Sequence, residues 1–222
     1  MTMAVTFDEV RNAPEIRTYI TQADASLIAL GFTEHSFAHV GRCAKVAGDL
    51  LADLGHDPRS VELCRIAAFM HDIGNVVNRH NHAISGATMA FRILDKMGMP
   101  PQEVAAVITA IGHHDDSTAF PVNAVAAALI LADKTDVRRS RVRNKDAATF
   151  DIHDRVNYAV EQSAVALDKA EKTFTLTLTI NTEVCAVMDY FEIFLQRMIL
   201  CRKAASHLGL TFKLVINGST LI

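Results

Sequence analysis

Eight of the ten histidines in this 222-residue chain fall between residues 35 and 114: His35, His39, His56, His71, His80, His82, His113 and His114. One of them is followed directly by a carboxylate, in His71-Asp72. Imidazole nitrogens and carboxylates are ligands for iron, manganese, zinc and related ions. Ions held this way lower the pKa of bound water and stabilise charge on phosphoryl oxygens. A carboxylate can also bridge two ions, so His71-Asp72 offers one nitrogen ligand and one bridge. Alone, the dipeptide is a chance occurrence in many chains, and its weight depends on what surrounds it.

The elements that must position these residues are helices. Apolar spacing over 15–30 ends at Gly31. Thr33 is a candidate cap for a second helix running to Leu54, with Phe37, Val40, Cys43, Ala44, Ala47, Leu50 and Leu51 on the apolar face. Pro58 opens a third, Val61 to Asp72, closed by Gly74. A fourth is predicted over 83–97, a fifth over 101–112, and a sixth from Pro121 through the apolar stretch Val125–Leu131 to Asp133. On this reading His39, His71-Asp72, His82, His113-His114 and Asp133 come from five different segments, each near a terminus or on one face, as in bundle metal sites. The pattern changes near residue 145. A short helix is expected over 152–168, and Phe174 to Ile180 alternates with period two, as a half-buried strand does. A long helix over 183–208 follows, then a second alternation at Phe212, Leu214 and Ile216 before the turn Asn217-Gly218. The fold class expected is mainly α: a helical domain over 1–150 with a small α+β extension, 151–222, packed on it.

These motifs in this order resemble the HD superfamily of metal-dependent phosphohydrolases. His39-Val40-Gly41-Arg42-Cys43-Ala44 is similar to its HxxRVA, followed by His71-Asp72-Ile73-Gly74 and by Asp133 after an apolar helix. Three further stretches resemble the HD-GYP branch: His82-Ala83-Ile84-Ser85-Gly86 its HPxxG, Ile111-Gly112-His113-His114-Asp115 its HHE, and Asp133-Lys134-Thr135-Asp136 its DxxD. The resemblance covers residues 33–145. It implies metal ligation by His39, His71, Asp72, His82, His113, His114 and Asp133, with Asp72 as the bridge and His71 and Asp72 at the catalytic centre. It implies two divalent or mixed-valent ions, iron or manganese first among the candidates. A third ion in some HD-GYP proteins uses an acidic residue one turn before the first histidine and the second aspartate of DxxD. Here those positions carry His35, placed by the four-residue spacing on the same helical face as His39, and Asp136. The chain departs from the branch in two places. Asn75 replaces the lysine of HDIGK that is associated with the substrate phosphate, and the GYP signature is reduced to Ser117-Thr118-Ala119-Phe120-Pro121.

The run Arg138, Arg139, Arg141, Arg143 and Lys145 follows the last ligand. Most charge runs are solvated loops. Adjacency to Asp133 and Asp136 favours a phosphate clamp, because the guanidinium fork matches phosphate oxygens. Arg138, Arg139, Arg141 and Asn75 are therefore the candidate substrate contacts. His80, His56, His153 and His207 read as loop, surface or helix-end residues, and Asp115 and Asp116 as solvated groups or supports for histidine ligands. A net charge of −3 points away from nucleic acid as partner and toward a small anionic phosphate-containing substrate. No apolar run reaches a membrane span and the first residues lack a secretory pattern. The four scattered cysteines suit a reduced compartment, so the expected location is the cytoplasm without a membrane. The apolar surface of the 183–208 helix is equally suited to core packing and to a homodimer. Hydrolysis of a phosphomonoester or phosphodiester, a nucleotide among them, is the expected activity. A diiron oxygenase, a cyclic-dinucleotide phosphodiesterase and a nucleotide sensor without turnover are the alternatives.

Overall fold

The computed structural model describes residues 4–116, 118–144, 150 and 152–222, with nothing said of the His153 side chain. Of the residues singled out above, Ser117, Lys145 and the side chain of His153 lie outside the described residues.

The helical part comprises α1 (Phe7–Asn12), α2 (Pro14–Ala29), α3 (Phe37–Asp53), α4 (Pro58–Met70), α5 (His82–Lys96), α6 (Pro101–Gly112) and α7 (Ala124–Lys134). A short 3-10 turn, Ile73–Val76, joins α4 to the loop before α5. Helix α7 is the axis of the bundle. Every side chain from Val125 to Ala132 is buried, as required of a helix that is apolar all round, and α3, α4, α6 and α9 all pack on it. Residues 152–222 form α8 (Ile152–Ala159), β1 (Val160–Asp168), β2 (Thr173–Ile180), α9 (Val187–His207), β3 (Thr211–Ile216) and β4 (Ser219–Thr220). The sheet order is β1-β2-β3-β4. β1 and β2 pair antiparallel, β2 and β3 pair parallel with α9 as the crossover, and β3 turns into β4 through Asn217-Gly218. Both turn residues have positive φ, 50° and 80°, the conformation a type I′ hairpin demands. The fold is thus mainly α with a small C-terminal α+β extension. Its hydrophobic core runs without interruption from Val10 through Leu129 to Phe194 and Leu214. Among the described residues no helix is long and apolar enough to cross a membrane.

Several boundaries differ from those predicted. The helix expected over 152–168 is α8 followed by β1, which pairs with β2 from Val160↔Ile180 to Asp168↔Thr173, with a register shift between Val160 and Gln162. Glu161 to Leu167 is compatible with either state locally, and the long-range partner strand decides it. Helix α3 begins at Phe37 rather than after Thr33, because the Ser36 side chain accepts from the Ala38 amide as N-cap. Helix α4 begins earlier than Val61, with Asp57 capping Arg59 and Ser60 and Pro58 in the first turn. Helix α7 starts at Ala124 under an Asn123 cap, not at Pro121. Helix α9 starts at Val187, after the segment expected from residue 183.

Candidate metal centre

Five segments aim ligand atoms at one point. His39 stands on the first turn of α3, His71 is the C-cap of α4, Asp72 follows it, His82 opens α5, His114 lies just past α6 and Asp133 is near the end of α7. The approach of α5 to the His71-Asp72 turn depends on glycine. A Cβ on Gly74 would lie 2.0 Å from the His82 carbonyl oxygen and 2.4 Å from the Gly86 amide nitrogen.

The histidines are oriented from behind. The Nδ1 atoms of His71, His82 and His114 lie 2.7, 3.0 and 2.6 Å from the carbonyl oxygens of Ala68, Arg79 and Ile111. A carbonyl can only accept, so each Nδ1 carries the proton and each Nε2 faces the centre with its lone pair available to a metal. His39 is set the same way by a carboxylate, with Nδ1 2.8 Å from Asp136 Oδ2.

Two groups of atoms result, one on either side of Asp72. His39 Nε2 lies 3.3 Å from Asp133 Oδ1 and 3.6 Å from Asp72 Oδ2, and His71 Nε2 lies 3.2 Å from Asp72 Oδ2 and 3.8 Å from Asp133 Oδ1. On the other side, His82 Nε2 is 3.2 Å from His114 Nε2, and these atoms lie 3.5 and 4.0 Å from Asp72 Oδ1. Ligands about 2.1 Å from one ion sit about 3.0 Å apart at right angles and about 3.4 Å apart at tetrahedral angles, so both groups have the spacing of a coordination sphere. His71 Nε2 and Asp72 Oδ2 are fully buried and have no hydrogen-bond partner among the described residues. Buried polar atoms are ordinarily satisfied, and a cation between them would satisfy both. The His/Asp cluster fits a metal site.

The electrostatics agree. Burial pushes the His114 imidazole down to about 3, helped by His71 and Lys134, so the ring is neutral near neutral pH. Burial opposes ionisation of Asp72 and Asp133, but the surrounding His71, His35 and His82 hold Asp72 well below the carboxylate range, and Lys134, His39 and His71 do so for Asp133. Burial also opposes protonation of His71, yet Asp72, Asp133 and the Ala68 carbonyl together raise its pKa. Cys43, 3.7 Å from His39 Nδ1, stays a thiol because burial and the nearby aspartates raise its pKa well above the ordinary value. It packs as a small apolar side chain.

The cluster forms one wall of a cavity of about 410 Å³. Phe32, His35, Arg79, Lys134, Arg141, Phe194 and Arg197 also face it. Lys134 is buried between Asp133 Oδ2 at 2.7 Å and Asp116 Oδ1 at 3.0 Å. Arg79 lies over the Phe32 ring and its Nη1 reaches Asn75 Oδ1 at 3.3 Å.

Not every sequence-derived candidate comes to this centre. His113 is the C-cap of α6, and its side chain takes no part in the described contacts of the cluster. Where a helix ends, consecutive residues diverge, and only His114 of the pair turns inward. Asp136 does not face the cavity for a third ion. Its oxygens accept from His39, from Arg42 at 3.1 Å and from Arg138 at 2.5 and 2.9 Å, so it serves as the support behind His39. His35 precedes α3 rather than sharing a helical face with His39. Its Nδ1 is 2.7 Å from the Thr33 carbonyl, and it reaches the cavity from the loop. Asn75 does not line the cavity: its amide donates to the Asp72 carbonyl and to Asp72 Oδ1, both at 2.9 Å, steadying the Asp72 side chain.

Of the proposed arginine clamp, Arg138 is held by Asp136 and Glu34. Arg139 turns away, donating to the Tyr158 carbonyl and lying over that ring at 4.6 Å. Arg141 is buried, donating through Nε and Nη1 to the carbonyls of Glu34 and Asp136, and does reach the cavity. Arg143 pairs with Asp24. Sequence reasoning missed Arg79, Lys134 and Arg197. Lys134 was signalled only by its place after Asp133, and Arg79 only by the polar loop leading to His82.

Comparison with known proteins agrees with this geometry. The chain is 30% identical over 142 residues to Ribonuclease Y of Cutibacterium acnes, an alignment covering 62% of this chain but only 23% of that protein. It is 24% identical over 200 residues to Uncharacterized protein MJ1020 of Methanocaldococcus jannaschii, covering 80% of this chain and 76% of the relative. The HD domain family model matches residues 36–157, from the N-cap of α3 into α8, which is more than half of the chain and includes all six convergent residues. The chain belongs to the HD-domain family.

Proposed function

We propose that this protein is a metal-dependent phosphohydrolase acting on a small phosphomonoester or phosphodiester, with nucleotides among the candidate substrates. The observation that carries the proposal is the division of ligand atoms about Asp72, with His71 Nε2 and Asp72 Oδ2 buried and unpartnered. His39, His71 and Asp133 would hold one ion and His82 and His114 a second, with one oxygen of Asp72 toward each. Iron or manganese suits this nitrogen and carboxylate donor set. Ions bound there would supply a nucleophilic water at neutral pH and stabilise charge on the phosphoryl oxygens.

The chain's own residues do the rest. Asn75 and Asp136 hold Asp72 and His39 in orientation. Arg79 and Arg141 bring positive charge to the cavity, where a phosphate would sit against the cluster. Arg79 has no carboxylate partner among the described residues, and it supplies near Asn75 a cation of the kind the HD-GYP branch carries on its lysine. The placement of His82 and His114 beside Asp72 favours the HD-GYP likeness, since the two would extend the HD set to a second ion. The cavity lies toward the small end of the roughly 300–1,000 Å³ range of ligand pockets, which favours a compact ester over a polymer.

One relative is named a ribonuclease, but its match covers under a quarter of that protein, so RNA belongs in the test rather than in the proposal. Protein reconstituted with iron or manganese should release phosphate or a monoester from a panel of nucleotides and aryl phosphates, faster than it cleaves an RNA oligonucleotide. Cleavage of RNA alone would overturn the small-substrate reading. Oxygen consumption without hydrolysis would overturn the reaction class.

A further inference from the structure

One of the arginines facing the cavity comes from the C-terminal extension, outside the segment matched by the HD domain model. Arg197 stands on α9 and faces the cavity. Its guanidinium lies over the Phe194 ring, 4.9 Å from the centroid, and its Nε donates to Asp116 Oδ2 at 2.8 Å. Asp116 Oδ1 accepts from Lys134, which also donates to Asp133 Oδ2. Arg197 is therefore tied to a metal-centre carboxylate through two intervening side chains. Its Nη1 and Nη2 groups make no hydrogen bond among the described residues.

The arrangement is that of a guanidinium fixed in advance. The ring and the Asp116 carboxylate restrain its position through one edge and one face. Four N–H donors are left on the other side, and these can bind two oxygens of a phosphate at once. Fixing the fork before the ligand arrives lowers the entropy lost on binding. The contrast with Arg138 and Arg139 is direct: those two spend their donors on Asp136, Glu34 and Tyr158.

Resting on the phosphohydrolase reading above, we propose that Arg197 is a substrate-binding residue that grips the phosphoryl group from the side of the extension. Helix α9 is then part of the site and not only of the core. The substrate class follows from the fork: an ester whose phosphate keeps at least two unesterified oxygens turned toward α9.

The test compares the wild type with Arg197→Met, which keeps an apolar side chain over Phe194, and with Arg197→Lys. Metal content, melting temperature, affinity for inorganic phosphate and steady-state hydrolysis of an aryl phosphomonoester are measured for each. Arg197→Met should keep its metals and fold, bind phosphate at least about 10-fold more weakly and raise KM more than it lowers kcat. Arg197→Lys should recover part of the phosphate affinity, since it restores charge without the fork.

If wild type hydrolyses the ester and Arg197→Met binds phosphate as tightly as wild type, Arg197 does not touch substrate, and the phosphohydrolase reading stands without it. If the variant instead loses metal in step with phosphate affinity, Arg197 acts by holding Asp133 through Asp116 and Lys134, and the contact is refuted. If wild type binds phosphate in an Arg197-dependent way but hydrolyses no ester, the anion contact stands and the reaction class falls. Should Arg197→Met fail to fold, Arg197→Lys decides: unchanged phosphate affinity and KM refute the fork.

Discussion

Gly74→Ala is predicted to remove one side of the metal centre while sparing the other. The added methyl would meet the His82 carbonyl oxygen at 2.0 Å and the Gly86 amide at 2.4 Å. Real Cβ contacts do not fall below 3.0 Å, and both obstacles are backbone, so the start of α5 must retreat by about 1 Å or more. Overpacking of this kind costs about 1–3 kcal/mol, which corresponds to a fall in melting temperature of roughly 2–12 °C for a chain of this length. The larger effect is local. His82 Nε2 now lies 3.5 Å from Asp72 Oδ1 and 3.2 Å from His114 Nε2, whereas ligand positions tolerate errors of only about 0.2 Å. His39, His71 and Asp133 ride on α3, α4 and α7, none of which supplies an atom to the clash. Metal analysis of the folded variant should therefore show one ion retained and one lost, with hydrolysis reduced on the order of 100-fold. Gly86→Ala is the internal comparison: its nearest contacts are 3.2 and 3.3 Å, so it should be milder on every measure. A Gly74→Ala protein with both ions and full activity would refute the role assigned to the close approach of α5.

Three further outcomes follow from the same geometry. Asp136→Asn weakens the acceptor behind His39 and should lower affinity for the ion on the His39 side by about 10–100-fold, read by competition with a chelator; unchanged affinity contradicts the support role. Metal binding should release a proton from His71. Against the opposing effect of burial, Asp72, Asp133 and the Ala68 carbonyl raise its pKa from the ordinary imidazole value, and its Nε2 must be unprotonated to ligate. Affinity should then fall as pH drops through that raised pKa, while His114, already neutral, contributes no proton there. Titration calorimetry in buffers of differing ionisation enthalpy measures the release, and a buffer-independent heat would rule it out. Arg139→Ala should leave KM within about twofold of wild type, since its side chain is engaged with Tyr158; a KM rise of 10-fold would restore it as a phosphate contact.

The helical bundle and most of the centre could be read from the sequence because both depend on local signals. Gly31, Gly55 and Gly98 have φ near 80° and close α2, α3 and α5, the left-handed geometry at which helices commonly end. Ligand types placed at successive helix ends had few ways to assemble other than together. The finer assignments depended on directions and partners that spacing does not carry. Which of His113 and His114 turns inward is set by where α6 ends. Whether an arginine is free depends on carboxylates far away in sequence, such as Glu34 for Arg138 and Asp24 for Arg143. The β1 strand was hidden because its partner, not its own pattern, fixes its state. Arg197 lies more than 60 residues beyond the last ligand, and only the packing of α9 on α7 brings it to the cavity.

Metal stoichiometry tests the central claim most directly, measured on reconstituted wild type beside Asp72→Ala, with hydrolysis of a phosphomonoester followed in the same samples. Because Asp72 offers one oxygen to each group of ligands, wild type should hold at least two ions per chain. The variant should lose at least one of them together with essentially all hydrolysis. A wild type that binds one ion or none, with an Asp72→Ala variant equally active, would contradict the shared metal centre.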